Sequence, residues 1–136
     1  MSLTIIFVLA LHLIADFLLQ PNWIQTYKSQ DNSVLLMHVT VYFTVFVAGL
    51  LFIAPWFGAL LYSFVNAILH FGVDYCSSRI ITAEVSNMQL EEDEGAMAKP
   101  LYQRVDLYKP SLFLGVDQLA HQACLIATIS ILTISL

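Results

Sequence analysis

The stretch Trp56-Phe-Gly-Ala-Leu-Leu-Tyr-Ser-Phe-Val-Asn66-Ala-Ile-Leu-His70-Phe-Gly-Val-Asp74-Tyr-Cys76 decides the fold. It is almost uniformly apolar, and roughly 20 such residues in a helix, rising about 1.5 Å each, cross the hydrocarbon core of a bilayer. A membrane-spanning helix is therefore expected here. Yet the same stretch carries His70 and Asp74, four residues apart. Both features recur along the chain.

The whole chain has 136 residues, of which 59% are hydrophobic and 11% charged, with a mean hydropathy of +0.77. A soluble domain would carry about 25% charged residues. Besides 56–76, the segments 3–20, 34–54 and 111–135 are long and apolar enough to span. The expectation is an all-α, integral membrane four-helix bundle, a single transmembrane domain over 1–136. The first segment lacks the basic start of a signal peptide and contains His12 and Asp16, so it reads as a retained helix.

The acidic balance, a net charge of −5, comes largely from a run at Glu91, Glu92, Asp93 and Glu94. That run reads as a solvated loop tip between the third and fourth helices. No basic stripe with interleaved aromatics points to nucleic acid. Cys76 and Cys124 lack metal-motif spacing and read as apolar packing residues. Lys28 lies in the first connection, and Arg79, Lys99, Arg104 and Lys109 in the third. With four spans these connections share a side, which the positive-inside rule makes cytoplasmic. Both termini then lie outside, the long 77–110 loop is cytoplasmic, and the protein sits multi-pass in the inner (plasma) membrane with the lipid bilayer as its partner. Trp23 and Trp56 fall at opposite interfaces, and a tight turn is expected at Pro55. Ala59, Ser63 and Ala67 form a small-residue face that suits close helix packing. A short surface helix is expected around Tyr102, Val105, Leu107 and Tyr108.

All four histidines, His12, His38, His70 and His121, fall inside expected spans, as do Asp16, Asp74 and Asp117. A carboxylate at a helix centre costs roughly 2.5–3.5 kcal/mol on insertion scales, so such groups persist where they face the bundle interior with partners. His12 and Asp16, His70 and Asp74, and Asp117 and His121 each stand four apart, which puts each pair on one helix face. The His-then-Asp order of the first and third helices reverses in the fourth, which runs the other way. In all three the aspartate is nearer the cytoplasm and the histidine about 6 Å deeper. His38 is expected level with the aspartates. Gln20, Asn66, Gln118 and Gln122 lie beside these stripes and could orient them by hydrogen bonds. Tyr62 lies on the His70 stripe as well.

Neutral imidazole and carboxylate are normal ligands of divalent metals, zinc foremost. Two arrangements fit the spacing: three deep histidines on one ion, or all seven groups on two ions with a bridging aspartate or water. A metal with an open position would suit a metal-dependent hydrolase of a lipid or other amphiphilic ester. No catalytic residue can be assigned from spacing. Two other classes stay open. The first is a proton or cation transport component, which in so small a chain would need a homo-oligomer to form a path. The second is a structural membrane adaptor locked by His–Asp pairs.

The combination His12-Leu-Ile-Ala-Asp16-Phe-Leu-Leu-Gln20, Leu36-Met-His38, His70-Phe-Gly-Val-Asp74-Tyr and Asp117-Gln-Leu-Ala-His121 resembles the uncharacterised membrane-protein family catalogued as domain of unknown function 3307. The resemblance covers the four spans and leaves out the acidic loop. More distantly, the motifs are similar to those of membrane-bound metal-dependent hydrolases, which implies that chemistry by analogy alone. Within the chain, His12-x3-Asp16-Phe17 and His70-x3-Asp74-Tyr75 suggest two parallel half-repeats meeting at a shared site.

Overall fold

A computed structural model describes residues 2–95 and 108–132, and among them every regular element is helical. Helix α1 (Ser2–Leu13) runs into a single π turn over Ile14–Leu18; α2 (Asn22–Tyr27) is short; α3 (Asn32–Leu50), α4 (Trp56–Gly95) and α5 (Tyr108–Ala127) are long, and a 3-10 turn (Ile129–Leu132) follows. Helix α3 packs on α1 and α4, α4 on α5, and α5 returns to α1, while α2 lies against α3. The contacts thus close a ring around a shared interior.

The boundaries follow local chemistry. Pro21 is extended and starts α2, and the Asp31 side chain caps α3 by accepting from Ser33 N at 2.7 Å. The expected turn at Pro55 separates α3 from α4, with α3 ending at Leu50 and not at residue 54. Helix α5 starts at Tyr108, before the expected 111, which places Pro110 in the first turn, where its missing N–H breaks no helical bond.

Helix α4 corrects a larger expectation. It continues past Cys76 to Gly95, so residues 77–95, including the acidic run, are helical and not loop. Hydropathy falls after residue 76, but Ala83, Glu84, Met88, Gln89 and Leu90 are strong helix formers, with no Gly or Pro before Gly95. At about 1.5 Å per residue its 40 residues reach about 60 Å, roughly twice a hydrocarbon core. The expected surface helix at residues 102–107 and the stretch of the fourth apolar segment beyond residue 132 lie outside the described residues.

The interior divides into two zones. One is apolar: Val8, Leu11, Phe46, Leu50, Leu125 and Leu132 pack together. The small-residue face does what its spacing suggested, for Ala59, Ser63 and Ala67 are all buried. Gly49 permits a close approach of α1, since a Cβ there would stand 2.5 Å from Leu11 Cδ2. The other zone is polar and holds the site. Outside, large apolar side chains such as Leu3, Ile6, Leu18, Leu36, Phe52, Phe64 and Ile68 face away from the protein. Two helical stretches, Asn32–Leu50 and Trp56–Ala83, are long and apolar enough to cross a membrane. Cys76 is exposed on this outer surface, so it does not pack inside as expected, and Cys124 is half-buried; both are free thiols.

Candidate metal centre

All seven groups singled out by spacing converge. His12, Asp16, His38, His70, Asp74, Asp117 and His121 are each no more than 7% exposed. Four helical segments deliver them: α1 and its π turn, α3, α4 and α5. The π turn is local to the site. Asp16 lies buried within the one wide turn at Ile14–Leu18, and π turns inside helices commonly mark functional positions.

The tightest grouping is Asp16, His38, His70 and Asp74. His38 Nε2 lies 3.0 Å from Asp16 Oδ1, 3.0 Å from His70 Nε2 and 3.4 Å from Asp74 Oδ2. His70 Nε2 lies 3.4 Å from Asp16 Oδ1 and 3.5 Å from Asp74 Oδ2. A tetrahedral ion with bonds of about 2.0–2.1 Å sets its ligand atoms roughly 3.3 Å apart. The five observed separations bracket that edge. Two buried imidazole nitrogens facing each other among carboxylates also form a poor hydrogen-bond network, since one ring N–H cannot serve every neighbour. These four groups could hold a metal ion.

Asp74 belongs to a second group with Asp117 and His121. Its Oδ2 faces His38 and His70, while its Oδ1 lies 3.7 Å from His121 Nε2. His121 Nδ1 donates to the main-chain carbonyl of Asp117 at 2.9 Å. The three deep histidines do not form the donor set that spacing allowed: His12 stacks on His121 at 5.4 Å between centroids, and its Nε2 faces Gln118 Oε1 at 3.2 Å. His12 therefore joins the cluster through the Gln118 amide and, at 3.9 Å, faces Asp16 Oδ2.

Gln118 is the organiser among the expected polar neighbours. Its Nε2 donates to Asp16 Oδ2 and to Asp117 Oδ2, each at 3.2 Å, while its Oε1 meets His12. Gln20 is half-buried and lines the cavity above the site. Asn66 does something else: it exchanges hydrogen bonds with Thr128 at 2.9 and 3.0 Å and donates to Tyr62 O, one turn short of the cluster. Tyr62 itself donates to Leu125 O at 2.8 Å. Gln122 is half-buried and makes no hydrogen bond to any of the seven.

Three contributors were not legible as such in the sequence. Lys28, read as a topological charge, donates to Asp74 Oδ2 at 3.0 Å. Tyr42 stacks on His70, and Thr128 receives Asn66. Arg79 is engaged elsewhere, over the Tyr75 ring and with Asn32.

The site is reached from one end. A cavity of about 470 Å³ is lined by Asp16, Asp74 and Asp117, with Lys28, Gln20, Gln25, Ser77, Ser78 and Gln118 around them. None of the histidines lines it. The aspartates thus form the outer layer as expected, but His38 belongs beneath them with the other imidazoles. The half-repeat survives partly. Asp16 and Asp74 both enter the four-residue group, and Phe17 and Tyr75 are both exposed, whereas His12 meets Gln118 and His70 meets His38.

No curated protein matches the chain, and no solved structure matches it. A family model matches residues 3–136, running through the segment between α4 and α5 that the four motifs left out. The chain that brings His38, His70, Asp16 and Asp74 together is a member of the family described as Protein of unknown function (DUF3307).

Proposed function

We propose that the protein is a multi-pass membrane bundle holding a catalytic divalent ion, zinc by ligand chemistry, and that it hydrolyses an ester in a lipid or other amphiphile at the cytoplasmic face. The observation that carries this reading is the four-atom cage of His38 Nε2, His70 Nε2, Asp16 Oδ1 and Asp74 Oδ2, five of whose six separations are 3.0–3.5 Å. Two imidazoles with two carboxylates are nitrogen and oxygen ligands of the borderline kind that zinc accepts. A bound divalent ion supplies the chemistry of an acidified water and a polarised ester oxygen. The chain's own residues hold it: Gln118 fixes Asp16, and the Tyr42 ring fixes His70.

The membrane part rests on an inverted distribution of polarity. Polar groups such as Ser63, Asn66 and the seven site residues are buried, while the outer surface is studded with Leu, Ile and Phe. The exposed Thr40 and Thr44 hydroxyls donate to the carbonyls of Leu36 and Thr40, both at 2.8 Å, so they ask nothing of an apolar solvent. Lys28 and Arg79 lie at the cavity end, which supports that end as cytoplasmic. An apolar groove between α4 and α5, lined by Val73, Ile80, Val116 and Ala120, shares Ser77, Ile81 and Asp117 with the polar cavity. An acyl chain in the groove would place a head group beside the aspartates. Beyond Tyr42 the interior is filled by Phe46, Leu50, Leu125 and Leu132, which counts against a conduction path.

Metal analysis of detergent-purified protein beside a His70→Ala variant tests the reading. Stoichiometric zinc in wild type, lost in the variant, is expected, together with ester hydrolysis in mixed micelles that chelation abolishes and zinc restores. Wild type prepared without chelator and still devoid of metal would sink it.

A further inference from the structure

We propose that Asp74, Asp117 and His121 form a second cation site that fills only together with a phosphoryl dianion, which makes the substrate class a phosphate monoester. The inference rests on the metal reading above and extends it to substrate and ion count.

His121 carries the first argument. Its Nδ1 hydrogen is committed to the Asp117 carbonyl, which leaves the lone pair on Nε2. That nitrogen is buried, has no hydrogen-bond partner, and points toward Asp74 Oδ1 at 3.7 Å. Metal-ligating histidines commonly show this arrangement, one ring nitrogen donating to a carbonyl and the other free. Asp117 Oδ1 is buried without a hydrogen-bond partner as well. Asp117 Oδ1 lies 3.7 Å from His121 Nδ1, and Asp74, Asp117 and His121 each offer one ligand atom within 4.8 Å of the others, a set that could hold an ion.

Asp74 supplies the second argument. Each of its oxygens faces a different group, Oδ2 toward His38 and His70 and Oδ1 toward His121. A carboxylate used in this way bridges two ions, and ions about 3.5–4 Å apart are the usual device for phosphoryl transfer.

Charge settles when the second ion arrives. Asp16, Asp74 and Asp117 bring three negative charges, and Lys28 places one ammonium on Asp74. One divalent ion then makes the site neutral. A second alone would leave two uncompensated positive charges in a buried place, which is costly. A second ion accompanied by a dianion restores neutrality. The cavity wall suits such an anion: Lys28 and the side chains of Gln25 and Ser77 offer N–H and O–H groups to phosphate oxygens.

Equilibrium dialysis of the full chain in detergent against Zn²⁺ decides it, with inorganic phosphate, with acetate as a monoanion control, or with neither. One ion per chain is expected alone and with acetate, and two with phosphate. His121→Ala and Asp117→Asn should each keep the first ion, which also reports folding, and lose the phosphate-dependent second. Two ions without phosphate, or with acetate, would overturn the coupling. A single ion under all three conditions would overturn the second site and leave the four-residue cage standing. No ion under any condition would remove both readings.

Discussion

Tyr42 lies flat against His70, ring centroids 4.0 Å apart and planes within 17° of parallel. The ring is fully buried and stacks in turn on Phe46 at 4.5 Å, so the imidazole rests on a column rooted in the apolar core. Aromatic pairs of this kind are worth about 0.5–1.5 kcal/mol beyond the area they bury. Tyr42→Leu should therefore weaken zinc binding by about three- to tenfold in chelator competition, because His70 gains freedom that binding must remove. Tyr42→Phe keeps the face and should stay within about twofold. Equal losses in both variants would assign the effect to the hydroxyl and refute the stacking argument.

The reciprocal pair Asn66–Thr128 leads to the opposite expectation. Their two hydrogen bonds tie α4 to the residue just beyond α5, near the cluster but not within it. Interhelical hydrogen bonds in membrane proteins average about 0.6 kcal/mol and reach about 1.7. Asn66→Ala and Thr128→Val should each lower unfolding stability by about 1 kcal/mol, and the double variant by less than their sum. Zinc stoichiometry should be unchanged throughout. A loss of metal in Asn66→Ala would show that this amide belongs to the site after all.

The contrast between Asn66 and Gln118 shows what the sequence could and could not disclose. Spacing at four residues placed both on polar stripes, since one helical turn separates such positions. It could not say which neighbour each would meet, because that depends on the rotation of α5 against α1 and α4. Gln118 met three site residues, and Asn66 met Thr128. The seven titratable groups were legible because a His or Asp inside an apolar stretch long enough to span a bilayer has few tolerable explanations. The π turn was not, for no residue in Ile-Ala-Asp-Phe-Leu demands an extra residue in the turn. Nor was the length of α4, where hydropathy marks the end of a span and says nothing about the end of a helix.

Gly49 and Leu11 set how closely α1 and α3 approach. A Cβ on residue 49 would meet Leu11 Cδ2 at 2.5 Å, Cδ1 at 2.7 Å and Cγ at 3.2 Å. Leu11 is buried among Val8, Phe46 and Leu50 and cannot swing away freely. Gly49→Ala should cost about 1–3 kcal/mol by overpacking. Leu11→Ala alone should also destabilise, by leaving a cavity. Together the two should recover part of the loss, since each relieves the fault of the other. Strict additivity in denaturant unfolding would mean that the helices shift apart and the contact exerts no control.

Lys28 offers the sharpest separation between a structural and an electrostatic role. Its ammonium sits 3.0 Å from Asp74 Oδ2, and its side chain is 15% exposed at the cavity wall. A lysine serving only to pin the end of α2 to α4 would, on replacement, cost stability and leave ion binding alone. A lysine serving as one of the site's cations must compete with any ion that approaches Asp74. Lys28→Met keeps the apolar stem and removes the charge. With one divalent ion the variant site holds one net negative charge, so a second ion no longer meets repulsion from the ammonium. At an effective dielectric near 20, unit charges about 4 Å apart interact by about 4 kcal/mol, and partial exposure reduces that figure. The second zinc should therefore bind the variant without phosphate, at least about tenfold more tightly than it binds wild type under the same conditions. Added phosphate should then change the stoichiometry little. A variant that still needs phosphate for its second ion would show that Lys28 is a tether, and that the charge of the site is balanced by other groups.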